Sequence, residues 1–449
     1  MNTLEDCGCA DAWPDALPDP LRDADVKMEM LCDPGTWQDV LDRARRKKGR
    51  RVDMDSFGAV ADTVGRASLV QAIADGRYTL SPPRTLYVDK RTGLYLSHGE
   101  AAHRGFEGVR TLYAPSQPLD GLVLGAVSAV YNRMYGCRIH PACRSYQRGV
   151  GVRRIIHEDL IPRLGAGQTG YKLDISKYFD SVNRETLDAT LESMDTGSPV
   201  DALVWKHFHD DRVYVNGELE PRYMAIRQGN AMGTLLANLA LRDVDERISS
   251  MDVLYIRYAD DMIILGPEAD AALAELRPML AAKGLSLNDR KTERLDSSLP
   301  FTFLGCEIHN GRVDMSQESY DRIKLQVRRI CRPHKYIPRE SREEQVKAIR
   351  RINWLLRDGH RSDQRNFGWE RYFFSVIDNP VRVRMLDQYI REHIKGVYVG
   401  RQTQHRKAKA MTSDAMLRAM GYKSLMGMYR ASKCGPDVYA AEVLEVRTA

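Results

Sequence analysis

Cysteine is scarce in this sequence. Eight of 449 residues are Cys, at positions 7, 9, 32, 137, 143, 306, 331 and 434. None forms a Cys-x-x-Cys pair, so the spacing supports neither a zinc finger nor a disulfide framework, and reduced thiols are expected. No apolar run approaches the roughly 18 residues a membrane helix needs. The N-terminus is acidic instead of basic-then-apolar, which excludes an ordinary secretory signal, so a cytoplasmic protein without membrane contact is expected. No internal repeat or low-complexity segment stands out. What remains is ordinary for a globular chain: 43% hydrophobic and 29% charged residues, over a length sufficient for several domains.

The net charge of +6 conceals a strong asymmetry. Residues 1 to 40 carry ten Asp or Glu against two Lys or Arg. Between Asp321 and Lys409 the balance reverses, with 23 basic residues against ten acidic. There Arg322, Arg328, Arg329, Arg332, Lys335, Lys347, Arg350 and Arg351 interleave with Ile323, Val327, Ile330, Ile349 and Leu355 at helical spacing. A second basic run, Arg43 to Arg51, ends a helical pattern that starts near Trp37. Basic amphipathic stretches of this kind suit the phosphate backbone of a nucleic acid. The acidic first 40 residues read as a solvating arm, or as one that lies on a basic surface.

Chemistry is concentrated at Tyr258-Ala259-Asp260-Asp261. Two adjacent carboxylates stand between the apolar runs Val253 to Ile256 and Met262 to Leu265, as at the exposed turn of a hairpin. Neighbouring carboxylates repel, and a divalent cation bridging protein oxygens and substrate phosphates is the usual way to hold them together. Upstream, Tyr171-Lys172-Leu173-Asp174 supplies a third carboxylate at a strand-like end, with a helical pattern beginning after Phe179. Two metal ions about 3.5 to 4 Å apart need carboxylates on both sides, and Asp174, Asp260 and Asp261 would form that clamp.

Several further blocks stand in order around these residues. They are Arg110 to Pro115 through Asp120, Ser145-Tyr146-Gln147-Arg148-Gly149, and Arg227-Gln228-Gly229 with Leu235-Leu236-Ala237-Asn238-Leu239. Asn288 to Thr292 and Phe303-Leu304-Gly305 follow. In this arrangement the chain resembles the reverse transcriptases, specifically the bacterial enzymes related to group II intron, retron and diversity-generating proteins. The resemblance spans about three quarters of the sequence. It implies an α+β right-hand polymerase with fingers, a palm with an antiparallel sheet, a helical thumb, and N- and C-terminal helical extensions.

The same resemblance implies roles for individual residues. Asp174, Asp260 and Asp261 would be the catalytic, metal-binding carboxylates, with the Ile175 carbonyl as a further ligand for two Mg²⁺ ions, or Mn²⁺ in their place. Phe179 falls where related enzymes place an aromatic gate under the incoming sugar, which would favour deoxynucleotides. An aromatic opening a helix is equally a common core residue. Gln228 and Gly229 would lie against nucleotide and template. Arg148 and Lys291 are further candidates for the triphosphate, which needs cations beyond its metals. Arg45, Arg46, Lys47 and Lys48 would contact template RNA, and Arg328, Arg329, Arg350 and Arg351 would track the duplex from the thumb. The stretch Asn230-Ala231-Met232-Gly233-Thr234 departs from the relatives, where Ser with Pro or Gln is usual.

The expected organisation is an N-terminal extension (1–90), fingers (91–164), palm (165–315), thumb (316–400) and C-terminal helical appendage (401–449). Asn310-Gly311 marks a tight hairpin between Cys306 to His309 and Arg312-Val313, and Met411 to Asp414 a helix start. Trp354, Trp369, Tyr372, Phe373 and Phe374 suit base stacking or, more commonly, packing in the thumb. No RNase H, integrase or endonuclease segment is recognisable, so a standalone polymerase is expected. The reading is an RNA-directed DNA polymerase that copies a dedicated structured non-coding RNA into a DNA duplex from dNTPs, in bacterial antiphage defence. Untemplated or protein-primed synthesis, a mutagenic diversity-generating enzyme, and a catalytically idle RNA-binding scaffold remain as alternatives. Template, primer, fidelity and oligomeric state are not fixed by the sequence.

Overall fold

The computed structural model describes residues 24–46, 58, 60–147, 149–331, 342–357, 369–399 and 411–434. It is a mixed helix and sheet protein that divides into two compact units. The first comprises residues up to Lys90, Leu94–Val150 and Gln168–Leu295, and the second Arg91–Gly93, Gly151–Gly167 and residues from Asp296 onward.

At the centre of the first unit lies a four-stranded sheet of β4 (Thr169–Asp174), β7 (Leu254–Tyr258), β8 (Asp261–Leu265) and β9 (Glu293–Asp296), in the order β7-β8-β4-β9. Met262 to Leu265 are all fully buried, which explains why this strand reads as a continuous apolar run without alternation. The β4–β8 register pairs Gly170 with Leu265 and Asp174 with Asp261. A side chain at Gly170 would strike the Ile264 carbonyl, so this close approach requires glycine.

A five-stranded sheet holds β1 (Arg84–Asp89), β2 (Tyr95–Leu96), β3 (Val109–Ala114), β5 (Arg212–Val215) and β6 (Glu218–Pro221). Helices α1 (Ala24–Cys32), α2 (Pro34–Arg46) and α3 (Pro118–Tyr135) share one hydrophobic core with the four-stranded sheet. Trp37 is fully buried there and donates its indole N–H to the Leu31 carbonyl at 2.7 Å. Lys27 of α1 is also fully buried. Its ammonium is paired with Asp201 on α4 (Pro199–His209) and lies 4.7 Å from the centre of the Tyr131 ring. Burial lowers the Lys27 pKa below its ordinary value, and the Asp201 carboxylate offsets only part of that shift.

Below the palm sheet, Arg257 and Asp245 form an ion pair at 2.5 Å with both side chains completely buried. Asp245 lies on α6 (Arg242–Ser249) and also accepts the Tyr255 hydroxyl at 2.9 Å. Arg257 reaches on to the Asn238 carbonyl at the far end of α5 (Gly233–Ala240). Asn238 in turn donates to the Ser145 carbonyl and accepts its hydroxyl, both at 2.7 Å. The Leu-Leu-Ala-Asn-Leu block and the Ser145 block thus meet through one amide.

The second unit opens with a three-stranded meander, β10 (Phe301–Phe303), β11 (Cys306–His309) and β12 (Arg312–Met315). Asn310 and Gly311 both have positive φ (50° and 69°) and join β11 to β12 as the tight turn expected from sequence. Helices α7 (Gln317–Ile330), α8 (Arg342–Arg357) and α9 (Val381–Val399) follow. Ser316 caps α7, and Ser413 caps the short helix Asp414–Ala419 that the sequence signals near Met411. Phe373 and Phe374 are buried, with the Trp369 ring 5.0 Å from that of Phe373, so these aromatics pack a core. Trp354 is 37% exposed. No helix among the described residues is long and apolar enough to cross a membrane.

Candidate active site

Asp174 ends β4 and Asp261 begins β8, paired across the sheet, while Asp260 sits in the two-residue turn that joins β7 to β8. Ala259 takes φ 57° to close that turn. The turn is less open than the sequence suggests: Ala259 is buried and both carboxylates are half-buried. Strand β4 covers one side, and the Tyr146 ring lies 5.9 Å from that of Tyr258. The Ile175 N–H donates to the Asp260 carbonyl at 2.9 Å, tying the two acidic segments together by backbone. Asn288 completes the frame, donating its N–H to the Asp174 carbonyl at 2.8 Å.

Three acids in this frame repel one another in a poorly solvated place. Burial, then Asp260 and Asp174, push the Asp261 carboxyl from 3.8 up to about 6. Asp260 is likewise raised, by burial first and then by Asp174. Lys291 donates to Asp174 Oδ2 at 2.8 Å. Burial would lower its pKa, but its bond to Asp174 and the attraction of all three acids leave it raised. The Asp174 carboxylate is turned to Lys291 and Asn288, and no three acidic, His or Cys side chains among the described residues are gathered closely enough to hold an ion. The donor set nevertheless fits Mg²⁺ or Mn²⁺: hard carboxylate oxygens, no thiolate or imidazole, and a charge excess that a divalent cation relieves.

A linkage prediction follows. Because folding raises the Asp261 pKa, its favourable contribution is present below about pH 4 and is lost as pH rises through 6. In a chelator, Asp261→Asn is expected to be more stable than the parent by on the order of 1–3 kcal/mol at pH 8, with no difference below pH ~4. Thermal melts across this range check it, and equal melting temperatures at pH 8 would refute it.

Phe179 lies inside a one-turn helix, Tyr178–Ser181, which begins at the left-handed Lys177, so the helix starts earlier than the sequence pattern indicates. Its ring is buried and meets Tyr178 edge-on, and its carbonyl accepts the Ile226 N–H at 3.1 Å. Gln228 is held by its carbonyl, which accepts the Tyr113 N–H at 2.7 Å. Gly229 is exposed, with φ 96° that only glycine takes freely. Asn230, the unusual residue of this stretch, is buried, and its side chain bonds to His207 and the Met232 N–H. Asn230 thus braces this stretch from within.

Two residues near the carboxylates carried no assigned role in the sequence reading. Arg110 on β3 is exposed and close enough to stabilise the charge on Asp260. Tyr146 adopts φ 59°, a rare conformation for a bulky residue, and is 47% exposed. Both stand within quoted sequence blocks, but neither strain nor proximity was readable there.

These features accompany a match of residues 127–308 to the family described as reverse transcriptase (RNA-dependent DNA polymerase). Residues 127–308 form a reverse transcriptase domain. It contains Asp174, Ile175, Phe179, Gln228, Gly229, Asp260, Asp261 and Lys291, and covers about two fifths of the chain. Curated proteins give no match. Among solved structures, a C-terminally truncated apo telomerase from Candida tropicalis is similar at 13% identity over 46% of this chain and 53% of its own, with TM-score 0.36. A telomerase from Candida albicans in complex with a telomeric RNA fragment is 12% identical over 85% of this chain and 70% of its own, with TM-score 0.38. Apo telomerase from Candida tropicalis is 12% identical over 80% and 69%, with TM-score 0.39. This chain thus spans about half the length of the first of these relatives.

The remaining basic candidates differ in placement. Arg328 on α7 and Arg350 and Arg351 on α8 are exposed, and Arg329 is half-buried. Arg45 and Arg46 end α2, but their side chains, like Lys47, Lys48 and Arg148, lie outside the described residues.

Proposed function

We propose that this protein is an RNA-directed DNA polymerase that uses Asp174, Asp260 and Asp261 for two-metal nucleotidyl transfer. The observation that carries the proposal is the placement of Asp174 and Asp261 in register on adjacent strands with Asp260 in the turn between β7 and β8. Asp174, Asp260, Asp261 and the Ile175 carbonyl would hold two Mg²⁺ ions, which would supply activation of the primer 3′-hydroxyl and charge neutralisation of the triphosphate. Lys291, which donates to Asp174, would exchange that carboxylate for a phosphate of the bound nucleotide. Gln228 and Gly229 present an amide and an open backbone edge to the base pair being formed. Arg328, Arg329, Arg350 and Arg351 contact the product duplex through its phosphates, while Arg45, Arg46, Lys47 and Lys48 face template RNA and Arg148 the triphosphate.

Fingers (91–164), palm (165–315) and thumb (316–400) describe the working parts on this reading, between an N-terminal extension (1–90) and a C-terminal appendage (401–449). The template is a dedicated structured non-coding RNA, and the setting is antiphage defence in a bacterial cytoplasm. The resemblance of the ordered blocks to the retron, group II intron and diversity-generating lineage, together with the N- and C-terminal extensions, supports that finer reading. Purifying the chain with its bound nucleic acid, supplying dNTPs and Mg²⁺, and sequencing RNA and DNA tests it. DNA complementary to one enriched structured RNA is expected; homopolymer or protein-linked DNA would replace templated copying by untemplated or protein-primed synthesis.

Phe179 acts as the sugar gate. Phe179→Ala is expected to relax exclusion of ribonucleotides by about tenfold or more in kcat/KM ratio while polymerisation persists. Loss of its buried ring also costs about 3 kcal/mol of stability, so the ratio must be measured below the variant's melting temperature. Unchanged discrimination would remove Phe179 from this role.

A further inference from the structure

Arg227 immediately precedes the Gln228-Gly229 pair, yet its side chain runs inward. It is 1% exposed and its backbone is left-handed, with φ 58°. Ala225 at φ 43° and Gly229 at φ 96° make three such residues within five. Left-handed conformations at non-glycine residues persist only where surrounding contacts overdetermine them. Here those contacts come from the guanidinium. Its Nη2 donates to the Asp210 carbonyl, just beyond α4, at 2.6 Å. Its Nη1 lies 3.2 and 3.3 Å from the two ring nitrogens of His207, so it rests against the imidazole instead of pointing at one lone pair.

The imidazole is fixed in turn. Asn230 Nδ2 donates to His207 Nε2 at 2.8 Å, which assigns the ring proton to Nδ1. Burial, then the Arg227 charge, hold His207 well below its ordinary pKa, so the ring is neutral and accepts the guanidinium without repulsion. The Asn230 side-chain oxygen accepts the Met232 N–H at 2.9 Å, leading into α5. The loop is also pinned from outside, by Ile226 to the Phe179 carbonyl and by Gln228 to the Tyr113 N–H.

This arrangement is costly. Among the described residues no carboxylate comes within ion-pair distance of Arg227: Asp210 pairs with Arg212 and Asp211 with Arg184. Its Nε has no hydrogen-bond partner. A buried cation without a carboxylate is a poor way to stabilise a fold. A rigid fork that fixes two directions at once, however, is something a guanidinium does and an ammonium does not.

We propose that Arg227 is a positioning residue for the incoming nucleotide. Its guanidinium, braced by His207 and the Asp210 carbonyl, locks the left-handed loop that presents Gln228 and Gly229, and Asn230 couples that lock to α5. The inference rests on the nucleotide-pocket reading of Gln228 and Gly229. It adds that pocket geometry is set from behind by a residue that never touches nucleotide.

The test compares wild type, Arg227→Lys and Asn230→Ala in single-dNTP incorporation on a defined RNA template with a DNA primer, alongside melting temperature and equilibrium primer-template binding. For Arg227→Lys the dNTP KM is expected to rise roughly ten- to hundredfold, with discrimination against mismatched dNTPs falling. The expected change in kcat is smaller, and primer-template affinity is unchanged. Asn230→Ala, which loses only the link from His207 to Met232, moves KM and discrimination the same way and carries the test if Arg227→Lys does not fold. Unaltered KM and discrimination in a folded variant would overturn the proposal. So would parallel losses of melting temperature, primer-template binding and turnover, the signature of a merely structural arginine. A wild-type chain that incorporates no dNTP sinks the polymerase reading, and this inference with it.

Discussion

Asp260→Asn is expected to lower Mg²⁺-dependent dNTP incorporation by roughly a thousandfold or more. The substitution keeps the shape of the turn and removes one negative charge. Asp260 stands between the in-register pair Asp174 and Asp261, and its backbone carbonyl accepts the Ile175 N–H. An amide there preserves that backbone bond, so the fold is retained. What disappears is half the charge of the Asp-Asp pair and the anionic oxygens that hard divalent cations require. Because Asp260 is itself raised by burial and by Asp174, the neutral variant relieves repulsion. Its melting temperature in chelator is therefore expected to equal or exceed that of the parent. Activity and stability moving in opposite directions separate a catalytic carboxylate from a structural one. Loss of both together would point to a structural role.

The second large effect concerns stability. Asp245→Leu leaves Arg257 as an uncompensated charge with both members of the pair fully buried, and is expected to cost about 3–5 kcal/mol. The consequence reaches the active site along the strand. Arg257 immediately precedes Tyr258, its N–H donates to the Ala142 carbonyl at 2.9 Å, and its own carbonyl accepts the Arg144 N–H at 2.8 Å. Loss of the pair loosens both β7 and the segment bearing Ser145 and Tyr146. Replacing both partners together, as Asp245→Leu with Arg257→Met, is expected to recover most of the loss, since apolar substitutes remove the desolvation penalty. Chemical denaturation of the single and double variants measures this. A single variant as stable as the parent would show that the pair does not hold the palm.

Some of this architecture was legible in advance and some was not, for identifiable reasons. Asn310-Gly311 declared its turn because both positions need positive φ and those residue types tolerate it. The apolar runs on either side of Asp260 and Asp261 declared the hairpin, and the Met411 to Asp414 stretch the start of a helix. By contrast, the half-burial of the acidic turn depends on Tyr146 and β4, which are remote in sequence. The Lys291 to Asp174 bond joins residues 117 positions apart, and the Lys27 to Asp201 pair residues 174 apart. No local periodicity encodes such pairings. Arg227 was invisible for a different reason. A basic residue beside Gln-Gly reads as exposed, and only tertiary structure reveals that a left-handed backbone turns its side chain into the core. Asn230 stood out only as a departure from the family pattern, and its bond to His207 joins residues 23 positions apart.

The central claim is templated DNA synthesis on RNA at these three carboxylates. The most direct measurement extends a labelled DNA primer on a defined RNA of known sequence with Mg²⁺, omitting one dNTP at a time. The expected result is extension that halts one position before each complement of the omitted nucleotide, vanishes in chelator, and is absent in Asp260→Asn. Extension that ignores the template, or that persists at full rate in Asp260→Asn, would contradict the account.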